Sequence, residues 1–349
     1  MSYLSLPLQY RPWTLDQVKG QDHVTDGLEY AITNDRVRQA YLFSGIRGTG
    51  KTTMARVLAA ALNCLEADGP TVKPCLKCQS CKAVRQGDDV SVFEIDGASN
   101  NKVEDVRKLK DQIGTFGMHG RFKIYIIDEI QMFTKQAFNA LLKTLEEPPK
   151  HVKFILCTTE LAKIPKTIQS RCQLYPFRPI REEVLSKHLS WVLDQEKVTY
   201  DEEFILELVK MAHGSLRDGI TTLDQLINSG QNPLTAATLE NFYGKPQRSQ
   251  VQDILVAISR GDVPGTMSGL NRLTRKGFSE YYIVTTLIDA LQELIPKRLS
   301  DPEKLGPVVD IIMELEMMSR NVRASETPQA LLEATLLRIA LNRHSKNNQ

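Results

Sequence analysis

Two short stretches of the chain hold residues whose types and spacing can handle a phosphate anhydride. The first is Gly45-Ile46-Arg47-Gly48-Thr49-Gly50-Lys51-Thr52-Thr53, placed directly after the apolar run Tyr41-Leu42-Phe43 and before the helical run TMARVLAAAL. Glycines at this spacing let backbone N–H groups turn inward around a β-phosphate. Lys51 then reaches the β and γ oxygens, the Thr52 hydroxyl takes a place on Mg²⁺, and the helix start adds positive potential. A glycine-rich turn that binds nothing is the alternative, and the flanking strand and helix weigh against it. The second stretch is Lys123-Ile124-Tyr125-Ile126-Ile127-Asp128-Glu129. It is an apolar strand ending in two carboxylates, at the end where an α/β sheet carries its ligands. Asp128 would complete the Mg²⁺ shell and Glu129 would orient and deprotonate an attacking water. Without the loop, a surface acidic pair would be the better reading. The next strand ends Cys157-Thr158-Thr159, so Thr159 would stand beside the carboxylates if the two strands are neighbours. There it could position the water or sense the γ-phosphate, although threonine is also common at strand ends.

A third cluster has different chemistry. Cys64, Cys75, Cys78 and Cys81 follow the spacing C-x10-C-x2-C-x2-C. Two-residue gaps let consecutive thiolates curl around one ion, and a more distant fourth closes a tetrahedral Zn²⁺ site with no open position, hence structural and not catalytic. A redox pair or packed thiols are the competing readings. The neighbouring Pro74, Lys77 and Lys82 are unlike core, and a redox motif needs only two cysteines. Cys157 lies inside an apolar strand and reads as a packed thiol, while Cys172 has no evident partner.

These residues need a frame to hold them. The first half of the chain alternates apolar strand candidates at 40–43, 90–95, 122–127 and 152–158 with amphipathic helices, the pattern of a doubly covered parallel sheet. Between the last two, Phe138, Leu141, Leu142 and Leu145 fall at helical spacing, and Pro148-Pro149 end the helix. Beyond Pro176 and Pro179 the pattern turns helical, with helices expected over 182–195, 201–213, 215–229 and 235–242. After the break Gly244-Lys245-Pro246 come five more, at 246–260, 262–276, 279–299, 305–323 and 327–343. The expected domains are an α/β nucleotide-binding domain over 1–179 carrying the zinc module 64–81, a small helical domain over 180–243 and an all-helical domain over 244–349.

With 349 residues, 44 Lys+Arg against 42 Asp+Glu and a net charge of +2, the chain is an ordinary globular one, and binding nucleic acid by bulk charge is excluded. A local basic patch stays open. The absence of a long apolar run and of a signal-like start implies a cytoplasmic protein without a membrane span.

Taken together, YRPWTLDQVKGQDHV, SGIRGTGKTT, the cysteine loop, IDGASNNKVEDVR, IIDEIQMF, FNALLKTLEEPP, SRC and GSLRD resemble the tau/gamma family of bacterial DNA polymerase III clamp-loader subunits, which are AAA+ ATPases. The motifs run in family order over residues 1 to about 230, and the helical remainder resembles that family's oligomerising collar. The resemblance implies that Arg171 of Ser170-Arg171-Cys172 is an arginine finger reaching the γ-phosphate of a neighbouring subunit. It also implies that Arg217 of Gly214-Ser215-Leu216-Arg217-Asp218 is a second sensor carried by the lid, and that Arg11, Pro12 and Val18 border the adenine. Asn101, Lys102 and Arg107 become candidate phosphate contacts to duplex DNA, positioning it without reading sequence.

Two positions depart from the family pattern: Gln131 stands where His is common, and Lys19 where an apolar residue is usual. The function implied is ATP-driven opening and loading of a sliding clamp onto primer–template DNA in chromosomal replication. The implied cofactors are ATP, Mg²⁺ and Zn²⁺; the implied partners are delta, delta-prime and further copies of the chain in a pentamer, with the clamp and DNA. Nothing corresponds to a polymerase active site or to the family's extra C-terminal domains, so a short natural form or a cut-down piece is expected. A non-hydrolysing scaffold, a DNA-translocating or helicase-loading ATPase, and a zinc-dependent DNA-binding module are the rivals.

Overall fold

A computed structural model describes residues 3–113, 120–322 and 324–347. Two compact units divide the chain, 1–233 and 234–349.

The first unit is built on a parallel five-stranded sheet in the order β2-β3-β4-β1-β5, formed by β1 (Ala40–Ser44), β2 (Val92–Asp96), β3 (Lys123–Asp128), β4 (Val152–Thr158) and β5 (Gln173–Pro176). The central strands β1, β3 and β4 are buried almost end to end, which is why their sequences read as continuous apolar runs. The pleat sends alternate side chains to opposite faces. Tyr41, Phe43, Ile124, Ile126, Ile155 and Cys157 join one core with α2 (Asp22–Thr33) and α3 (Lys51–Asn63), which follow the short α1 (Leu6–Gln9). Leu42, Tyr125, Ile127, Phe154 and Leu156 join the other core with α5 (Val103–Ile113), α6 (Lys135–Glu146) and α7 (Lys166–Gln169). The cysteine loop lies between α3 and β2 and includes α4 (Gln79–Gln86).

The strand β5 has no apolar run to announce it. It is an edge strand of four largely exposed residues that ends in Pro176, a residue an edge tolerates because it need not donate there. Val90 falls outside β2, which starts at Val92. Three helices complete the unit: α8 (Glu182–Glu196), α9 (Glu202–Ala212) and α10 (Leu216–Asn228). Asp201 and Ser215 cap α9 and α10 by accepting the amides of Phe204 and Asp218.

The second unit is all helical: α11 (Ala236–Tyr243), α12 (Arg248–Arg260), α13 (Val263–Arg275), α14 (Glu280–Gln292), α15 (Ile295–Arg298), α16 (Pro302–Val322) and α17 (Pro328–Asn347). Its core gathers Ile254, Leu270, Val284, Leu287, Leu315, Leu332 and Leu336. The stretch 279–299, expected as one helix, is two. Pro296 has no N–H to give to Gln292, and its ring crowds that carbonyl, so α14 ends at Gln292. No helix among the described residues is long and apolar enough to cross a membrane.

Candidate active site

The glycine loop leaves β1 and enters α3 at Gly50, whose φ of 101° is open to glycine. Thr49 ties the loop by donating from Oγ1 to the Ile46 carbonyl at 2.9 Å. Lys51 is buried and donates to the carbonyls of Gly45 (2.7 Å) and Ile46 (2.8 Å). Burial pulls its ammonium below the ordinary lysine pKa, and the neighbouring Cys157, Glu129 and Asp128 partly restore it. A cation so placed, held only by carbonyls, is ready to transfer to anionic oxygens.

Because β3 lies beside β4 and β4 beside β1, both carboxylates reach the loop. Thr52 Oγ1 donates to Asp128 Oδ2 at 2.6 Å, and the Glu129 amide donates to Asp128 Oδ1 at 3.0 Å. Burial is the main cause raising the Asp128 carboxyl above its ordinary range; these hydrogen bonds oppose it and the charge of Glu129 adds to it. Thr52 and Asp128 are thus paired hard oxygen donors, the kind Mg²⁺ takes through one or two protein groups beside phosphate. Glu129 sits at φ 47°, a left-handed conformation uncommon for a residue other than glycine. Gly97, at the end of β2, lies against this turn: a Cβ there would stand 2.7 Å from the carbonyl oxygens of both Asp128 and Glu129.

Thr159 is beside Glu129, donating to Oε2 at 3.0 Å. The sequence reading missed the group that organises this pair. Gln131 donates from Nε2 to Glu129 Oε2 and to Thr159 Oγ1 (2.9 Å), and its Oε1 accepts from Thr158 at 2.7 Å. Its departure from the family residue was the signal, but sequence alone could not say that it faces the carboxylate.

A cavity of about 750 Å³ opens here, lined by Arg47, Gly48, Thr49, Gly50, Lys51, Thr52, Thr53, Asp128 and Glu129. Arg11, Pro12 and Val18 line it from the N-terminal segment, and Ile180, Leu216, Arg217 and Ile220 from the helical side. Gly45 and Ile46 contribute through the carbonyls that hold Lys51. Burial, then the like charges of Arg56 and Arg217, lower the pKa of Arg11, while Glu94 opposes them. Asp224 on α10 is also tied to this end of the chain, accepting from the Tyr3 hydroxyl and from the Leu6 amide (3.1 Å).

Arg171 is not among the lining residues. It donates to the Thr167 carbonyl (2.7 Å) and to Glu146 (2.7 Å), half exposed beside α6. Asn101, Lys102 and Arg107 are also outside the cavity, at the start of α5, where Lys102 and Arg107 are exposed and the Lys102 amide donates to Asp105 at 3.2 Å.

The cysteines converge. Their four sulfurs lie within 4.8 Å of one another, and a tetrahedral zinc with Zn–S of about 2.3 Å needs sulfurs about 3.8 Å apart, a small contraction. Amides already point at three of them: Cys75 N–H to Cys64 Sγ (3.3 Å), Cys78 N–H to Cys75 Sγ (3.2 Å) and Cys81 N–H to Cys78 Sγ (3.4 Å). Burial disfavours the Cys75 thiolate, yet hydrogen bonds from Lys77, Cys78 and Cys64 prevail and bring its pKa down to about 7. The donor set fits zinc. Cys157 is a wholly buried core thiol, and burial pushes Cys172 up to about 12.

Comparison with known proteins falls on the same elements. Residues 20–181 match the family model described as DNA polymerase III, delta subunit, and residues 184–232 the one described as DNA polymerase III clamp loader subunit, ATPase lid domain. The DNA polymerase III subunit gamma of Buchnera aphidicola subsp. Baizongia pistaciae is 41% identical over 263 residues, 75% of this chain and 70% of that protein. The chain belongs to the DNA polymerase III tau/gamma family.

Its sheet, glycine loop and following helices are the AAA+ P-loop architecture with a lid. The tau/gamma subunit of Haemophilus influenzae is 40% identical over 306 residues, covering 86% of this chain and 44% of the relative. The tau subunit of Escherichia coli is 38% identical, covering 88% and 47%. The chain therefore spans about half the length of these longer relatives. The Thermotoga maritima RuvB Holliday junction branch migration motor aligns at TM-score 0.49 and 18% identity over 71% of this chain and 79% of that one, too slight a likeness to bear on activity.

Proposed function

We propose that the chain is a clamp-loader subunit that binds and hydrolyses Mg-ATP at subunit interfaces, in a cytoplasmic assembly with delta, delta-prime and further copies of itself, to open a sliding clamp and load it onto primer–template DNA. The observation that carries this reading is the cavity itself. It unites a complete phosphate loop, the Thr52–Asp128 pair, Glu129 and Arg217 in a member of this family.

The residues act as follows. The loop amides and Lys51, released from the Gly45 and Ile46 carbonyls, bind the β and γ phosphate oxygens. Thr52 and Asp128 would hold Mg²⁺, which when bound would neutralise phosphate charge. Glu129 holds the attacking water and takes its proton, aimed by Thr159 and Gln131. Arg11, Pro12 and Val18 border the base. Arg217 ties the lid to the occupied pocket, so binding biases the lid between two positions. Arg171, absent from its own subunit's cavity and near the surface, reaches into a neighbour's, a contribution worth ~10³ to 10⁵ in rate. Asn101, Lys102 and Arg107 contact duplex phosphates, Cys64, Cys75, Cys78 and Cys81 hold a structural Zn²⁺, and the helices beyond the lid form the collar.

A non-hydrolysing scaffold is the second reading, and the intact Lys51, Asp128 and Glu129 disfavour it. The two separate on Glu129→Gln in the reconstituted assembly. Hydrolysis falling by at least ~10²-fold with ATP binding retained supports the proposal; unchanged turnover contradicts it.

A further inference from the structure

A second cavity, of about 670 Å³, lies beside the nucleotide pocket, lined by the N-terminal segment and α8. Tyr10, Trp13, His188 and Trp191 supply rings, Arg11, Lys19 and Lys187 supply positive charge, and no Asp or Glu lines it. Both tryptophans of the chain are here. None of Trp13, Lys187, His188 and Trp191 has a part in the nucleotide chemistry above.

The rings are held and not merely adjacent. Tyr10 meets Trp191 edge-on, with centroids 5.4 Å apart and planes at 80°, and His188 lies against the same indole at 5.3 Å and 31°. Trp191 nevertheless remains 45% exposed. The Arg85 guanidinium of α4 covers the Trp13 ring at 5.4 Å. The nearby carboxylate of Glu196 accepts from the Tyr10 hydroxyl (2.5 Å) and from Gln9 (3.0 Å) and is not among the lining residues. Burial, then the charge of Lys19, pushes the His188 pKa down. Lys19, one of the two positions that depart from the family pattern, donates to the Asp16 carbonyl at 3.2 Å.

Exposed aromatic faces beside scattered cations are the chemistry that holds single-stranded nucleic acid, where bases stack and phosphates meet lysines. We propose that this cavity takes an unpaired nucleotide of a single strand, its base against Trp191 and its phosphates toward Lys187 and Lys19. The lining contains no glycine loop to close around a polyphosphate, so a strand anchored by stacking fits it better than a free nucleotide does. The volume lies within the range of small-ligand sites. The proposal stands apart from the clamp-loading reading, because it needs neither hydrolysis nor a partner subunit.

The test uses the whole chain with the phosphate loop saturated by Mg-ADP. Oligo(dT) of about 12 nucleotides is titrated at low salt while tryptophan emission is read, a signal that comes from this cavity alone. Saturable quenching that weakens with added salt is expected. Trp191→Ala should reduce oligonucleotide affinity about tenfold, the scale of one stacked base, and Lys187→Glu should reduce it further at low salt. Both residues are exposed, so circular dichroism should stay unchanged. Oligonucleotide binding, read by anisotropy of a labelled strand, without change in tryptophan emission would overturn the proposal. So would wild-type affinity in both variants, or equal quenching by dTMP at the same concentration, which would make the cavity a free-nucleotide site.

Discussion

Gly48 of the phosphate loop lies directly under Ser215, the cap of α10: a Cβ added at Gly48 would stand 1.8 Å from the Ser215 Oγ and 3.3 Å from the Arg217 Cβ. The Arg217 amide also donates to the Gly48 carbonyl, at 3.3 Å. The glycine loop and α10, the helix that carries Arg217, are thus in contact through a residue that must be glycine, both for space and for its φ of 78°. In the proposed function this contact would carry a change at the phosphates to α10.

Gly48→Ala is expected to weaken ATP binding by at least about tenfold and to lower stability by about 1 to 3 kcal/mol through overlap and backbone strain. Ser215→Gly alone should cost only a few tenths of a kcal/mol as a cap change. Combined with Gly48→Ala it should recover part of the loss. Nucleotide titration and thermal denaturation of the two single variants and the double variant check this; strict additivity would mean that the contact does not couple loop and lid.

Asp128 gives a prediction with a sign. Burial raises its pKa in the folded chain, so the folded state binds its proton more tightly than the unfolded chain does. Stability from this group is present below the unfolded value and is lost as pH rises through the folded one. Asp128→Asn should therefore raise the Tm of the nucleotide-free protein near neutral pH, by about 2 °C, with the gain shrinking toward pH 4, while abolishing Mg-dependent hydrolysis. Denaturation scans across pH decide it, and a variant less stable than wild type at neutral pH contradicts the account.

How far the sequence discloses this arrangement depends on whether a signal is local. The buried strands β1, β3 and β4 declare themselves as apolar runs, the glycine loop and Asp128-Glu129 sit at fixed offsets from them, and the four cysteines carry their own spacing. β5 does not, because an exposed edge of four residues ending in proline has no pattern to read. Gln131 stands out only as a departure from the family residue, and its full set of partners is not readable. Glu129 is its near neighbour in the chain, but Thr158 and Thr159 are brought to it by strand order, which no window of sequence contains. Thr159 depended on the same adjacency, and the β3–β4 pairing supplies it. Arg171 shows the opposite case: within its own chain it is a half-exposed partner of Glu146, and only family resemblance suggests more.

The cysteine loop should depend on metal. Chelation at neutral pH, or Cys78→Ser, is expected to release about one Zn²⁺ per chain and to lower the Tm of the first unit, while leaving Lys51 and Asp128 able to bind nucleotide. Elemental analysis with calorimetry measures both. Purified protein with no zinc, and none taken up after reduction and reloading, would contradict the assignment.

In the proposed function, active sites are completed between subunits and coupled to the clamp. Steady-state ATP hydrolysis tests it most directly, comparing this chain alone with the chain plus delta, delta-prime, sliding clamp and primed DNA. Expected are a low rate alone, a strong rise only in the full mixture, and loss of about 10³-fold of that rise for Arg171→Ala, whose Tm should hardly move because its ion pair with Glu146 is half exposed. A rate already high for the chain alone and indifferent to the clamp, or Arg171→Ala turning over as wild type in the full mixture, would contradict it.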